Sequence, residues 1–384
     1  MSDTPAPVPL CDINARYRFL KAQIDAAVTR VLSSGQVVLG PEVAAFEKEA
    51  AAFCGAQFAV GCGSGTDALV LALHALGIGP GDEVIIPPFT FFASAGAVCR
   101  VGATPVFVDI DPLTFNLDPS LIEAKLSRRT KAVMPVHLFG QCCDMQGIWD
   151  IAEDHQLYVV EDAAQSFGSE YRGRRCGTLG VVAAMSFYPT KNLGAFGDAG
   201  LVTTNSPEID RKLRALRVHG SDVKYYHKYI GYNMRLDPIH ATTLRVQLPH
   251  VAGWLDERQA AARRYDKLIE AANLHGFMRR PIAKPDRKHT FNQYVVRVPA
   301  IHRDRLVKHL KDNSIGVEVY YPLSLHEQEC FKHLGYRKGD FPTSEEAAAT
   351  VLALPMFPEI TDAQQRRVVE VCAAYMSQSL RRAA

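Results

Sequence analysis

One lysine on a glycine-rich loop is the residue of this chain best suited to covalent chemistry. Lys191 lies in the stretch 186–200, which reads SFYPTKNLGAFGDAG, between apolar runs at 181–187 and 201–204 that predict buried strands. A lysine held between buried strands is costly unless its charge is paired, removed or used. Such an amine can condense with an aldehyde to form a Schiff base. The alternative interpretation is a loop lysine that points into water.

An acid at the end of a second apolar run favours the chemical interpretation. The run at 157–162 predicts a buried strand that ends in Asp162. Ligands of α/β proteins gather at the carboxyl-terminal ends of parallel strands. A carboxylate there could keep the ring nitrogen of pyridoxal 5'-phosphate (PLP) protonated, so that the ring accepts electrons. The alternative, an aspartate that begins a turn, is less favoured once a Schiff-base lysine follows it.

A glycine-rich turn supplies a possible anion site. Residues 63–66 read GSGT and precede a predicted helix at 67–76. A helix that begins in such a turn presents free N–H groups and the positive end of its dipole, which suits a phosphate. Helix capping by Ser64 or Thr66 is the plainer interpretation, and the two are compatible.

The elements around these residues predict an α/β fold. Strands alternate with helices through residue 204 and number about seven, which predicts a mostly parallel sheet covered on both faces. Helices are expected at 10–34, from Pro41 onward and at 238–272, the last with a break at Pro249. Beyond it, strands at 293–298 and 316–321 mix with helices. We therefore expect a large domain over residues 1–250 and a small α+β domain over 251–384, with the N-terminal helix packed on the small domain.

Composition narrows the class of protein. The chain has 384 residues, of which 47% are hydrophobic, and a formal net charge of +2. This balance offers no basic surface for nucleic acid, and no apolar run is long enough to span a bilayer. The nine cysteines lack paired metal-ligand spacing, and the N-terminal residues do not resemble a secretion signal. We expect a cytoplasmic protein with reduced thiols and no metal site.

Six stretches, in order along the chain, resemble the DegT/DnrJ/EryC1/StrS family of sugar aminotransferases. Each is weak alone, and together they are specific. The resemblance implies the aspartate-aminotransferase-like (type I PLP) fold and a homodimer with shared active sites. The stretches are Gly63 to Leu69, Pro87 to Ala93, Pro135 to Gly140, the Asp162 run, the Lys191 loop and Gly231 to Asp237.

The resemblance also implies roles for individual side chains. Lys191 would hold PLP and Asp162 would pair with its ring nitrogen. Phe91 would stack on the ring and Gln165 would contact its oxygen. The remaining assignments are Gly65, Thr66 and Ser186 for the phosphate; Asn233 for the phosphate of the neighbouring subunit; Lys224, Tyr226 and His227 for a nucleotide diphosphate; and Tyr321 and His326 for the substrate pocket.

The function implied is transfer of an amino group from an amino acid, expected to be glutamate, to a nucleotide-linked keto-sugar. The stretch 224–233 favours a 3-keto over a 4-keto sugar. Sugar dehydratases of the same family carry histidine at the lysine position, and this chain keeps Lys191. Two alternatives stay open: a PLP-binding sensor without turnover, and a PLP-dependent lyase or desulfurase acting on a small amino acid.

Overall fold

The computed structural model describes residues 6–383, with side chains through residue 379. The outermost parts of the two predicted domains, residues 1–5 and residue 384, lie outside the described residues. Within residues 6–383 no helix has the length and apolar character required to cross a membrane.

The helices alternate with strands through the first half of the chain and dominate the second half. In chain order they are α1 Ile13–Ser34, α2 Pro41–Cys54, α3 Gly65–Ala75, α4 Ala93–Arg100, α5 Met145–Asp154, α6 Pro207–Leu216, α7 Pro238–Gln247, α8 Val251–Ala271, α9 Ala300–Asp312, α10 Pro342–Thr350 and α11 Asp362–Ala383. A 3₁₀ turn at Leu248–His250 separates α7 from α8. The predicted break at Pro249 is thereby confirmed.

A seven-stranded sheet forms the centre of the fold. The strands of the chain are β1 Phe58–Cys62, β2 Glu83–Ile86, β3 Thr104–Phe107, β4 Thr130–Val133, β5 Tyr158–Asp162, β6 Glu170–Tyr171, β7 Arg174–Arg175, β8 Val182–Ser186, β9 Gly200–Thr204, β10 Ser221–Val223, β11 Tyr226–His227, β12 Arg287–Lys288, β13 Tyr294–Arg297 and β14 Val351–Leu354. The central sheet has the order β1-β9-β8-β5-β4-β2-β3. Only β9 runs antiparallel to its neighbours, so the predicted mostly parallel sheet is confirmed.

Alternating side chains of the strands build two cores, one on each face of the sheet. In β2, Ile85 belongs to one core, while Val84 and Ile86 belong to the other. Successive residues of a strand point to opposite faces, so both faces of this sheet are covered. Helix α2 covers the first face through Val43 and Phe46, and α3 covers the second.

The N-terminal helix packs on the large core. The Asp12 side chain accepts a hydrogen bond from the N–H of Ala15 at 3.1 Å, which sets the start of α1 at residue 13. The buried side chains Leu20 and Ile24 join the core that contains Leu244 of α7. The expected packing of this helix on the small domain stays a prediction; its Arg16 guanidinium lies 4.9 Å from the Trp254 ring of α8.

A further core lies in the second half of the chain, where α8, α9 and α11 pack around β13 and β14. The strand predicted at 316–321 is absent there among the described residues. Gly316 donates its N–H to Val8 at 2.8 Å, whereas Glu318 pairs with Ala353 of β14. The segment changes partner between these residues, so neither ladder extends. The domain boundary at residue 250 stays a prediction.

Candidate active site

A cavity of about 520 Å³ opens at the carboxyl-terminal end of the sheet. The residues that follow β1 and β2 and those that end β5 and β8 meet there, as expected for parallel strands. Its volume lies in the range of small-molecule sites. The lining consists of Ser64, Gly65, Thr66, Leu69, Thr90, Phe91, Ala93, Val136, Asp162, Ala164, Gln165, Ser186, Tyr188, Thr190, Lys191, Asp198, Gln293, Tyr320 and Tyr321.

Hydrogen bonds to the backbone of Lys191 hold its loop in place. Lys191 donates its N–H to the carbonyl of Tyr188 at 2.8 Å, and its carbonyl accepts from Arg16 Nη1 at 2.9 Å. A methyl group at Gly194 would lie 2.4 Å from the carbonyl oxygen of Pro189, so only glycine allows this close return of the chain. The turn therefore fixes where the lysine side chain begins.

Lys191 lines the cavity and keeps partial exposure through it. Burial lowers the pKa of its amine to about 8, and the negative charge of Asp162 acts in the opposite direction. A larger fraction of neutral amine is therefore present near neutral pH than for an ordinary lysine. Neutral amine is the form that attacks a carbonyl.

Asp162 is fixed at the end of β5. Its Oδ2 accepts a hydrogen bond from Ser94 Oγ at 2.7 Å, and its Oδ1 accepts from the N–H of Ala164 at 3.2 Å. The Ser94 hydroxyl in turn lies 3.1 Å from Thr90 Oγ1. Burial raises the pKa of Asp162, and these donors together with Lys191 oppose that rise. The result is an oriented carboxylate that faces the same cavity as the lysine.

The turn at 63–66 caps the helix that follows it and lines the cavity. The side chain of Ser64 caps α3 by accepting from the N–H of Asp67 at 3.1 Å. Gly65 and Thr66 line the cavity, where the first N–H groups of the helix lack intrahelical partners. A methyl group at Gly65 would lie 2.6 Å from Ser186 Cβ, so the helix start and Ser186 approach closely. The free N–H groups and the Ser186 hydroxyl are groups that suit an anion.

Substituting Gly65→Ala tests this close approach. Because the added methyl group must displace Ser186 or the helix, we expect the free energy of unfolding to fall by about 1–3 kcal/mol. Chemical denaturation measures the change. Gly253→Ala is the matched control, since Gly253 lies in α8 with open space around its missing side chain. That substitution should stabilise the protein by about 0.5–1 kcal/mol; equal effects for the two would contradict the packing argument.

Aromatic and amide side chains form another wall of the cavity. The ring centroids of Phe91 and Tyr321 lie 6.1 Å apart. Gln165 donates through Nε2 to the Tyr321 hydroxyl at 2.9 Å, and its Oε1 accepts from the N–H of Phe139 at 2.8 Å. Burial raises the pKa of Tyr321, so its phenol stays protonated. The amide oxygen of Gln165 therefore already accepts a hydrogen bond within the protein.

The residues predicted to serve a nucleotide or a neighbouring subunit lie outside this cavity. Lys224, Tyr226, His227 and Asn233 are exposed and do not line it. The first three belong to or flank the hairpin of β10 and β11. Within one chain these residues contribute nothing to the site, so their predicted roles require a second copy.

The structure corrects the assignment of His326 to substrate contact. Its ring is 3% exposed and does not line the cavity. Nδ1 lies 2.9 Å from Ser324 Oγ, and Nε2 lies 3.0 Å from Glu345 Oε1. Ser324, Leu325 and His326 are all buried, so the histidine lies behind the cavity wall and bonds to polar groups of the protein.

Several lining residues escaped the sequence argument. Tyr188 and Thr190 come just before the lysine, and their position in the loop could have indicated them. Gln293 and Tyr320 come from distant segments and carry no local signal. Ser94 reaches Asp162 from the first turn of α4, a contact that only the fold reveals.

Comparison with known proteins agrees with this architecture. The chain is 48% identical over 368 residues to the "Pleiotropic regulatory protein" of Geobacillus stearothermophilus, which covers 96% of this chain and 98% of that one. It is 44% identical over 369 residues, 96% of each chain, to the dTDP-3-amino-3,4,6-trideoxy-alpha-D-glucose transaminase of Streptomyces venezuelae.

The fold and the sequence profile point to one family. The X-ray structure of S. venezuelae DesV in complex with a ketimine intermediate superposes with a TM-score of 0.93 and 43% identity, over 97% of this chain and 99% of that one. This likeness confirms the predicted type I fold. Residues 19–373 match the DegT/DnrJ/EryC1/StrS aminotransferase family. The chain therefore belongs to the DegT/DnrJ/EryC1/StrS aminotransferase family.

Proposed function

We propose that this protein is a PLP-dependent aminotransferase that transfers an amino group from an amino acid to a nucleotide-linked keto-sugar. The observation that carries the proposal is the shared cavity of the Lys191 amine and the Asp162 carboxylate. An aminotransferase needs an amine that can turn neutral and a carboxylate that can balance a cationic ring. The Streptomyces venezuelae relative is named for a dTDP-linked amino sugar, which supports a nucleotide sugar as the acceptor.

The residues present fit PLP. Lys191 would hold its aldehyde, and Asp162 would hold a proton at the ring nitrogen. Gly65, Thr66 and Ser186 would bind the phosphate at the start of α3. When bound, PLP would supply an electron-accepting ring that stabilises the carbanion formed at the donor's α-carbon. Phe91 would cover one face of that ring.

The protein's own groups would then carry out the proton movements. As a free amine, Lys191 Nζ would remove the proton from the α-carbon of the donor. It would then deliver that proton to the cofactor. A pKa of about 8 suits this role, because the amine can both accept and give a proton near neutral pH. The buried Asp162, held by Ser94, would keep the ring cationic throughout.

The finer assignment of substrates follows from relatives and from the exposed hairpin. We propose glutamate as donor and a 3-keto sugar as acceptor, in line with the 3-amino sugar for which the Streptomyces venezuelae relative is named. The basic and aromatic side chains of 224–228 are exposed, and such side chains suit a diphosphate and a base. In a homodimer this hairpin and Asn233 would complete the cavity of the partner subunit.

Mixing two inactive variants tests the shared site. Lys191→Ala and Asn233→Ala dimers should each be strongly impaired. After subunit exchange, half the dimers are mixed and each has one intact site, so about a quarter of wild-type activity should return. Mixing Lys191→Ala with Asp162→Asn, both in the same cavity, is the control and should restore nothing. Equal behaviour of the two mixtures would contradict the shared site.

The direct test of function incubates the holoenzyme with glutamate and a panel of nucleotide 3-keto and 4-keto sugars, and measures 2-oxoglutarate together with the amino sugar. We expect stoichiometric formation of both products with a 3-keto sugar. Formation of 2-oxoglutarate only with 4-keto sugars would overturn the assignment of position. Turnover with an amino acid alone, releasing ammonia or sulfide, would instead identify a lyase or desulfurase.

A PLP-binding sensor without turnover is the second candidate, because the relative from Geobacillus stearothermophilus is called a regulatory protein. A sensor would bind PLP and leave every keto-sugar of the panel unchanged.

A further inference from the structure

Two buried side chains, Ser324 and His326, form a hydrogen-bonded chain with the partly buried Glu345 behind one wall of the cavity. His326 Nδ1 lies 2.9 Å from Ser324 Oγ, and His326 Nε2 lies 3.0 Å from Glu345 Oε1. The same Glu345 oxygen accepts from the N–H of Gly339 at 2.7 Å. The His326 ring also packs 4.8 Å from the ring of Phe341. Both ring nitrogens of the buried His326 therefore have a partner, as a buried polar group requires. We call this set the Ser324–His326–Glu345 relay.

The order of serine, histidine and glutamate invites comparison with a hydrolytic nucleophile and its base. Ser324, however, is 0% exposed and does not line the cavity. Its hydroxyl lies 3.3 Å from the carbonyl oxygen of Pro88 and can donate to it. A nucleophile must reach a substrate, so this arrangement is not catalytic.

The relay instead ends on the backbone that carries the cavity wall. The Pro88 carbonyl accepts from Leu325 N–H at 2.8 Å as well as from the Ser324 hydroxyl. Pro88 opens the loop that places Phe91 in the cavity. In the same loop Thr90 Oγ1 contacts Ser94, the residue that holds Asp162.

The segment just before the relay carries Tyr321. This residue precedes Ser324 by one short turn and lines the cavity. Its ring centroid lies 6.1 Å from Phe91 and 6.1 Å from the fully buried Phe89. Neither loop belongs to a helix or strand, so hydrogen bonds between them and ring packing must fix their separation.

We propose that the Ser324–His326–Glu345 relay positions Phe91 and Tyr321 across the cavity and thereby sets the affinity for the sugar substrate. None of the three residues lines the cavity; they act through the Pro88 carbonyl. The inference rests on the proposed function for its substrate, and on the hydrogen bonds and ring contacts described above for its geometry. It assigns His326 a positioning role in place of the predicted substrate contact.

The test compares Ser324→Ala and Glu345→Ala with a conservative rescue and a control. Glu345→Gln retains an acceptor oxygen for His326, whereas Glu329→Ala changes an exposed acid in the neighbouring 3₁₀ segment. Hydrogen exchange of the holoenzyme, read by mass spectrometry, should quicken about fivefold or more in peptides covering 88–92 and 320–325 for the two alanine variants. Glu345→Gln and Glu329→Ala should match the wild type.

Kinetics supply the second measurement. The alanine variants should raise KM for the keto-sugar about fivefold while kcat stays within about twofold. Faster exchange throughout the protein, with a matching fall in Tm, would reduce the relay to a general stabilising contact and overturn the proposal. Unchanged exchange at 88–92 would also overturn it. If no keto-sugar is turned over by the wild type, the exchange result still decides the positioning role, and only the proposed function fails.

Discussion

Replacing Lys191 with alanine is expected to reduce amino transfer by about 10⁴-fold, because the protein then lacks both the covalent anchor and the proton carrier. The rate of 2-oxoglutarate formation with glutamate and a keto-sugar measures the loss. The side chain lies on a loop fixed by Arg16 and by the return of the chain at Gly194. The fold should therefore survive the change, with a Tm close to that of the wild type.

Lys48→Ala is the matched control for this variant. Lys48 is an exposed residue of α2, far along the chain from the loop, and its removal should leave turnover within about twofold. Mass spectrometry after borohydride reduction should find PLP on the peptide that contains Lys191 in the wild type and on no peptide of the alanine variant. Turnover retained by Lys191→Ala would refute the assigned role.

Substituting Asp162→Asn is expected to cost about 10³-fold in turnover, or about 4 kcal/mol of transition-state stabilisation. The amide keeps the size of the side chain and its hydrogen bond from Ser94, but it cannot balance a cationic ring. Single-turnover measurement with glutamate isolates the step that forms the carbanion. Ser94→Ala is the control: the charge remains while its orientation relaxes, so a loss of about tenfold is expected.

The Asp162→Asn variant should also change the pKa of the Lys191 amine. The Asp162 charge raises the pKa of the amine against the larger effect of burial, which lowers it to about 8. Without that charge the pKa should fall further, so more neutral amine is present at any pH below 8. Labelling of the cofactor-free protein with trinitrobenzenesulfonate as a function of pH follows this fraction. A midpoint that rises in Asp162→Asn would contradict the proposed pairing.

The sequence alone was sufficient where chemistry depends on local pattern. Apolar runs that end in Asp162 and lead into the Lys191 loop predicted two strands whose carboxyl-terminal ends meet, since parallel strands present those ends together. The turn at 63–66 predicted the start of a helix near these strand ends, and α3 begins there at Gly65. Six stretches in family order then indicated the fold, which comparison with DesV confirmed.

Patterns of pairing between distant segments could not be predicted in the same way. The run at 316–321 has the composition of a strand, yet its backbone is shared between Val8 and Ala353. His326 lies in a stretch that resembles a substrate wall, yet its ring turns to Glu345, nineteen positions further along the chain. Both outcomes depend on which groups compete for one hydrogen-bonding partner in the folded state.

Residue types and their order thus determined which chemistry this protein can perform: a lysine and an aspartate at converging strand ends, beside a helix start. Only the tertiary structure decided the surroundings of those groups, namely the burial that brings the pKa of Lys191 to about 8, the Ser94 contact that orients Asp162, and the relay behind Phe91 and Tyr321. The physical reason is that desolvation and hydrogen bonding depend on atoms contributed by segments far apart in the chain.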